Sequence, residues 1–313
     1  MRRTGAAYYI GFPRPGEKKA PGRGGREKFM KKHRSTIILI AVFLVGLSVL
    51  LYPTVSNYVN SFHQSRAIAT YEENLASFTE EDYTASFRAA QAYNDALLNG
   101  EASFHSGAPL DGAYASLLSV TDDGEMGYVT IQKLGVQLPV YHGTAETILA
   151  VGTGHLEGSS LPVGGVGTHA VITGHRGLPS AKLFTSLDKL DIGDTFTVTV
   201  LNQTLTYEVD KISIVLPDDV SLLQIDPNED YVTLLTCTPY AVNTHRLLVR
   251  GVRTDAAVEV RVAADAVQID PVLVAPVVAA PILLLLLLLL LTGTPGKRGN
   301  RKGVNAGEDG ETA

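Results

Sequence analysis

Cysteine is almost absent from this chain: Cys237 stands alone in 313 residues. A single thiol excludes an intrachain disulfide. No clustered set of Cys, His and Asp that would hold zinc is visible, and the chemistry read below needs neither a metal nor a cofactor. Basic charge is scarce in the middle of the chain, where residues 53–271 carry 27 Asp/Glu against 11 Lys/Arg. A nucleic-acid binder needs basic charge on its folded part, and that class drops out. Two processing signals are also missing. No small-x-small cleavage site follows the apolar run ending at Tyr52, and no Leu-Pro-x-Thr-Gly pentapeptide precedes the apolar run near the C-terminus. The first absence argues against a removed signal peptide and the second against a cell-wall sorting signal. No internal repeat is visible.

Those two apolar runs dominate the ends of the chain. Residues 1–35 are rich in Arg, Lys, Gly and Pro, and read as a basic disordered tail. Thr36–Tyr52 follows as 17 residues without a charge, an uncleaved signal anchor close to the length that crosses a bilayer. Val272–Leu291 is uncharged and ends in nine leucines, with Lys297, Arg298, Arg301 and Lys302 beyond it. Basic residues flank the outer side of both runs. The positive-inside rule therefore places both tails, 1–35 and 292–313, in the cytoplasm and the acidic middle outside.

The middle opens with helical spacing. Ile68, Tyr71, Leu75 and Phe78 recur at that period, and Phe87, Ala90, Asn94 and Leu97 continue it. Thr79 and Asp82 fit a capping box between the two stretches. Gly100–Gly112 reads as a loop, and residues 53–126 as a helical segment outside the membrane. From Gly127 the pattern turns to short strands: 128–131, 136–141, 170–173, 196–200, 205–209, 211–216, 231–236 and 246–252. Eight strands with few helices between them indicate a mainly β domain over 127–255, a barrel or a sandwich. A linker, 256–271, leads to the second apolar run.

Cys237 sits where an apolar strand, Tyr231–Thr236, meets the turn signal Thr238-Pro239. His175 also ends a strand, between Gly174 and Gly177, and Arg246 begins the next strand nine residues after Cys237. If 231–236 and 246–252 form a hairpin, Cys237 and Arg246 face each other across its mouth. Cysteine, histidine and arginine fill the roles of nucleophile, proton shuttle and oxyanion stabiliser in acyl transfer.

Thr233-Leu234-Leu235-Thr236-Cys237 resembles the Thr-Leu-x-Thr-Cys signature of the sortases, the cysteine transpeptidases of Gram-positive cell surfaces. The resemblance covers roughly residues 127–253. Tyr141-His142-Gly143-Thr144, Gly154-His155-Leu156-Glu157-Gly158, Thr173–Gly177 with Leu178-Pro179-Ser180-Ala181, and Asn243-Thr244-His245-Arg246 are similar to class C, the pilin-polymerising branch. Two membrane runs around an outward domain also match that branch. The resemblance implies an eight-stranded β-barrel with N-terminal helices before it, Cys237 as nucleophile, His175 as catalytic histidine and Arg246 as catalytic arginine. His142, His155, His169 and His245 compete with His175, but only His175 lies in a Thr-Gly-His-Arg-Gly context.

The implied reaction cleaves a Leu-Pro-x-Thr-Gly-like (LPXTG-like) sorting signal between Thr and Gly through a thioester on Cys237. A lysine amine of another pilin subunit then takes the acyl group. By analogy, substrate contacts fall to Thr236, Thr238, Pro239, Tyr240 and Asn243, and specificity to Pro217–Asp230 and Thr238–Thr244. Two other readings stand beside this one: anchoring of surface proteins to cell-wall peptide, and a non-catalytic membrane-tethered adaptor barrel. Class C relatives commonly carry an Asp-Pro-aromatic lid ahead of the barrel, and residues 53–127 contain none. Glu101, Phe104 and Asp111 in Gly100–Gly112 are the candidate substitutes.

Overall fold

The computed structural model describes residues 23–100, 104–105, 110–255 and 279–284. The chain divides into two units, one of residues 1–48 with 277–313 and one of residues 49–276. In the first unit the described backbone, 23–48 and 279–284, is helical.

Helix α1 spans Arg23–Leu75. Part of the segment expected to be disordered is therefore helical. From Arg26 to Arg34 the residues are mostly good helix formers without proline, and they extend a helix nucleated in the apolar run. α1 continues from the expected anchor, 36–52, through Pro53 into the segment expected to be helical. One proline removes one backbone hydrogen bond, and here that does not end the helix. Among the described residues, one helix is long and apolar enough to cross a membrane, the part of α1 from Ile38. Of the second expected span, 272–291, only 279–284 is described. The tails 1–22 and 292–313 and the linker 256–271 lie outside the described residues.

In the second unit, α2 (Glu80–Leu98) starts at the expected capping box: Thr79 accepts from the Asp82 amide, and the Asp82 carboxylate accepts from the Thr79 amide. The helical stripes read from the sequence are the buried faces, with Ile68, Tyr71, Leu75 and Ala90 all inside. Tyr71 is fully buried, and its hydroxyl donates to the Met126 carbonyl (2.9 Å) and accepts from the Leu201 amide (2.8 Å). Asn94, the polar member of the α2 stripe, exchanges hydrogen bonds with both backbone groups of Leu161 at 2.7 and 3.1 Å. A short helix, α3 (Gly112–Ala115), follows.

The remaining strands are β1 (Glu125–Ile131), β2 (Val136–His142), β3 (Thr153–His155), β4 (Thr168–Thr173), β5 (Thr195–Val200), β6 (Gln203–Val215), β7 (Asp230–Thr238) and β8 (His245–Arg253). A four-residue helix, α4 (Glu146–Leu149), lies between β2 and β3. The strands close into a barrel in the order β1-β2-β3-β4-β7-β8-β6-β5. β2 with β3 and β4 with β7 are parallel, and the other pairs antiparallel. Period-2 alternation separates the two faces. In β5 the threonines face outward while Phe196, Val198 and Val200 fill the interior. Inside, Ile172, Leu234 and Val249 from three neighbouring strands join the main core. On the outer face, Val171, Leu235 and Leu248 form a second cluster with Leu156, Val215, Leu222, Leu223 and Phe104.

Two strand assignments differ from the sequence reading. The expected strands 205–209 and 211–216 are one strand, β6, whose register shifts between Val209 and Lys211. The intervening residue, Asp210, turns its carboxylate to the Arg250 guanidinium, so a bulge stands where a break was expected. β3 was missed, since three residues are too few to show a period.

At the start of β1 a carboxyl group is buried without help. Glu125 is 1% exposed, and neither carboxyl oxygen has a hydrogen-bond partner. Burial first, and the nearby Asp123 charge second, push its pKa up to about 8. The folded state therefore keeps a proton that the unfolded chain releases near pH 4.5. The contribution of Glu125 to stability is fully present below that pH and is lost as pH rises toward about 8, by roughly 2–4 kcal/mol. Glu125→Gln should flatten this dependence between pH 5 and 8.5 in urea unfolding of the detergent-solubilised chain. An unchanged slope in the variant would assign the dependence to other groups.

Candidate active site

Strand registers place the three candidate residues in a row. β7 and β8 pair with Cys237 directly opposite Arg246, as the hairpin expectation required. β4 and β7 run parallel with Thr173 beside Leu235, and the Gly174 amide continues the ladder to the Leu235 carbonyl at 3.0 Å. Carried two residues further, that register sets His175 beside Cys237. Neighbouring strands lie about 4.8 Å apart, so His175, Cys237 and Arg246 occupy adjacent strand ends on one face. It is the outer face, the side of Leu235 and Leu248.

The glycines around His175 are needed where they stand. A Cβ on Gly174 would come within 2.6 Å of the Phe184 ring, and Gly177 has φ +81° beneath Tyr240. The His175 side chain is 24% exposed, and its Nε2 lies 3.3 Å from Glu146 Oε1 at the first turn of α4. Sequence reading missed Glu146, which has no motif of its own. Arg246 directs Nη1 at the carbonyls of Asn243 (3.4 Å) and His245 (3.3 Å), and among the described residues no carboxylate pairs with it.

Three of the competing histidines are structural. His155 and His169 are buried, and burial pushes each pKa down to about 4. Both His155 ring nitrogens are engaged, by Tyr114 and by the Ser160 carbonyl, and both of His169 by the Gln224 carbonyl and Thr233. His142 is buried between the carbonyls of Gly124 and Leu117, and burial lowers its pKa as well. His245 is half-buried beside Thr244, whose hydroxyl lies 3.0 Å from its Nδ1.

The expected substrate-binding residues separate into two groups. Pro239, Tyr240 and Asn243 lie in the β7–β8 loop at the mouth of the row, with Tyr240 and Asn243 exposed. Thr236 and Thr238 are buried and face inward, because they alternate with the outward Cys237. Their hydroxyls are already engaged: Thr236 donates to the Gly174 carbonyl (2.7 Å), and Thr238 accepts from Arg176 (2.9 Å). Their side chains hold the site together and do not line it. Of the candidate lid residues, Phe104 packs against the outer cluster that contains Leu235 and Leu248. Asp111 caps α3 through the Ala113 amide, and Glu101 lies outside the described residues.

A family model described as the sortase domain matches residues 129–254. Sortase C1 from Streptococcus agalactiae is 48% identical, with a TM-score of 0.57 over 61% of this chain and 100% of that one. The chain belongs to the class C sortases. A solved Streptococcus pneumoniae sortase C is 42% identical over 61% of this chain and 97% of its own, also with a TM-score of 0.57. Sortase D from Bacillus subtilis is 30% identical over 115 residues, 37% of this chain and 55% of that protein. The sortase barrel and its cysteine transpeptidase family are thus those the motifs implied. Among the described residues no group of three or more His, Cys, Asp or Glu is arranged to hold a metal ion.

Proposed function

We propose that this sortase joins pilin subunits, using His175, Cys237 and Arg246 on a membrane-anchored barrel that faces outward. The carrying observation is the row itself: three side chains of matched chemistry on consecutive strand ends, with the hairpin register fixing two of them face to face. The Cys237 sulfur attacks the threonine carbonyl of an LPXTG-like signal. The S–C bond forms, the C–N bond to glycine breaks, and His175 gives a proton to the departing amine. Arg246 donates to the oxyanion, its fork already steadied by the carbonyls of Asn243 and His245. A lysine amine of the next subunit attacks the thioester, forms an isopeptide bond and returns the thiol.

Choice of a pilin acceptor over cell-wall peptide follows the class C likeness. The S. pneumoniae sortase C is described in terms of its pilin substrate specificity. The full chain, incubated in detergent with pilins bearing an LPXTG-like signal, should give a ladder of covalent multimers on a denaturing gel. Transfer only to cell-wall peptide analogues would return the housekeeping reading, and no transfer at all the adaptor.

Phe104 gives the loop before the barrel a gating role in this account. It packs against the outer cluster that includes Leu248, and the register pair Leu235–Leu248 stands next but one to Cys237 and Arg246 on the same face. Burial of one ring is worth about 1–2 kcal/mol, a latch that opens readily during turnover. Phe104→Ala, or deletion of 101–111, should speed thiol labelling of Cys237 about three- to tenfold. Acceleration below about twofold in both would leave 100–112 an ordinary surface loop.

A further inference from the structure

We propose that Arg176 is a positioning residue which holds Cys237 against His175, acting through the hydroxyl of Thr238. The inference rests on the functional reading of His175 and Cys237 given above. β8 pairs with Cys237 and the Phe184 amide donates to the His175 carbonyl, but backbone pairing between β4 and β7 stops short of the two residues. The ladder between β4 and β7 makes its last step at Gly174 and Leu235. Beyond that point β7 runs into Pro239, which has no N–H, and the other chain turns away at Gly177.

Inward side chains take over where the ladder stops. His175 is flanked by Gly174 and Arg176, and Cys237 by Thr236 and Thr238, so alternation turns all four flanking residues inward. They pair across the strands. Thr236 Oγ1 donates to the Gly174 carbonyl at 2.7 Å, and Arg176 Nη1 donates to Thr238 Oγ1 at 2.9 Å. One bond lies just before the His175–Cys237 pair and one just after it. The outward histidine and thiol are thereby locked in register.

Arg176 is built into the barrel end. Its side chain is 9% exposed, and Nη2 donates to Asp188 Oδ2 at 2.7 Å, which supplies the counter-charge. Asp188 stands in the single-turn 3₁₀ helix Leu187–Lys189, one residue from the fully buried Leu187. The guanidinium thus spans two fixed points, and a lysine ammonium cannot reach both in one plane. Nε is buried without a partner, so the side chain is aimed at Thr238 and Asp188 and not at its own full hydrogen bonding.

The test is single-turnover acylation of the full chain in detergent by a fluorescent Leu-Pro-x-Thr-Gly peptide, with thermal melts as a check on folding. Thr238→Val keeps the branched shape and removes the acceptor. It should slow acylation about tenfold while leaving the peptide KM within about twofold, because the peptide still binds and only the reacting pair has shifted. Arg176→Lys should slow it at least as much. The double variant should be no slower than the worse single variant within about twofold, as expected for two residues acting as one unit. If Arg176→Lys fails to fold, Thr238→Val decides alone. Acylation by Thr238→Val within twofold of the unchanged chain, or an effect seen only in KM, overturns the inference and leaves the functional reading intact. An unchanged chain that forms no thioester overturns both.

Discussion

Cys237→Ala should leave no covalent product, and His175→Ala should fall nearly as far, by about 10³-fold or more in kcat/KM. The two losses are of similar size because the residues serve one step: without the sulfur no thioester forms, and without the imidazole the leaving amine takes no proton. Neither change should unfold the barrel. Cys237 is partly exposed at a strand end, and among the described residues the His175 imidazole makes its polar contact with the exposed Glu146. Product formation by the full-length variants, read on a denaturing gel with pilin as substrate, checks the expectation. Polymerisation by Cys237→Ala would remove the thiol from the mechanism.

Arg246→Lys retains the charge and should still lose about 10²-fold, the magnitude of a missing oxyanion donor. The guanidinium spends Nη1 on the carbonyls of Asn243 and His245 and has further N–H groups for substrate. A lysine ammonium offers a point charge on a flexible stem and cannot hold loop and oxyanion in one plane. The measurement is kcat/KM with a sorting-signal peptide. A loss within about threefold would mean that charge alone suffices at this position. Arg250 and Arg253 are poor substitutes, since Arg250 is bound to Asp210 over the Tyr231 ring and Arg253 lies over Tyr207.

The candidate row is legible in the sequence because its parts lie at strand ends with turn signals beside them. Tyr231–Thr236 and Arg246–Val252 read as strands, and the hairpin they form brings Cys237 opposite Arg246. The neighbour relation of His175 and Cys237 was not legible from spacing. It depends on β7 inserting between β4 and β8, a long-range parallel pairing that no local pattern specifies. The motif supplied it by resemblance.

The strand count came out at eight through two opposite errors. Asp210 in an apolar run reads as a break, yet its carboxylate has Arg250 as a partner and the strand passes through as a bulge. Thr153–His155 carries too little pattern to register as a strand, and burial on both sides holds it. Thr236 and Thr238 were misplaced for a related reason. Proximity to Cys237 suggests contact with substrate, whereas the period of two turns them to the interior. Nothing local in the sequence marks Arg176, and only the folded chain shows it buried against Thr238 and Asp188.

The most direct test of the account is the mass of the enzyme itself. The full chain is incubated with a Leu-Pro-x-Thr-Gly peptide without an acceptor amine, quenched in acid, and digested for mapping by mass spectrometry. One added acyl group, the peptide through its threonine, should be carried on Cys237, with the glycine fragment released and no adduct on Cys237→Ala. Cleavage of the Thr–Gly bond with Cys237 unmodified throughout, or an acyl group on any other residue, would contradict the account.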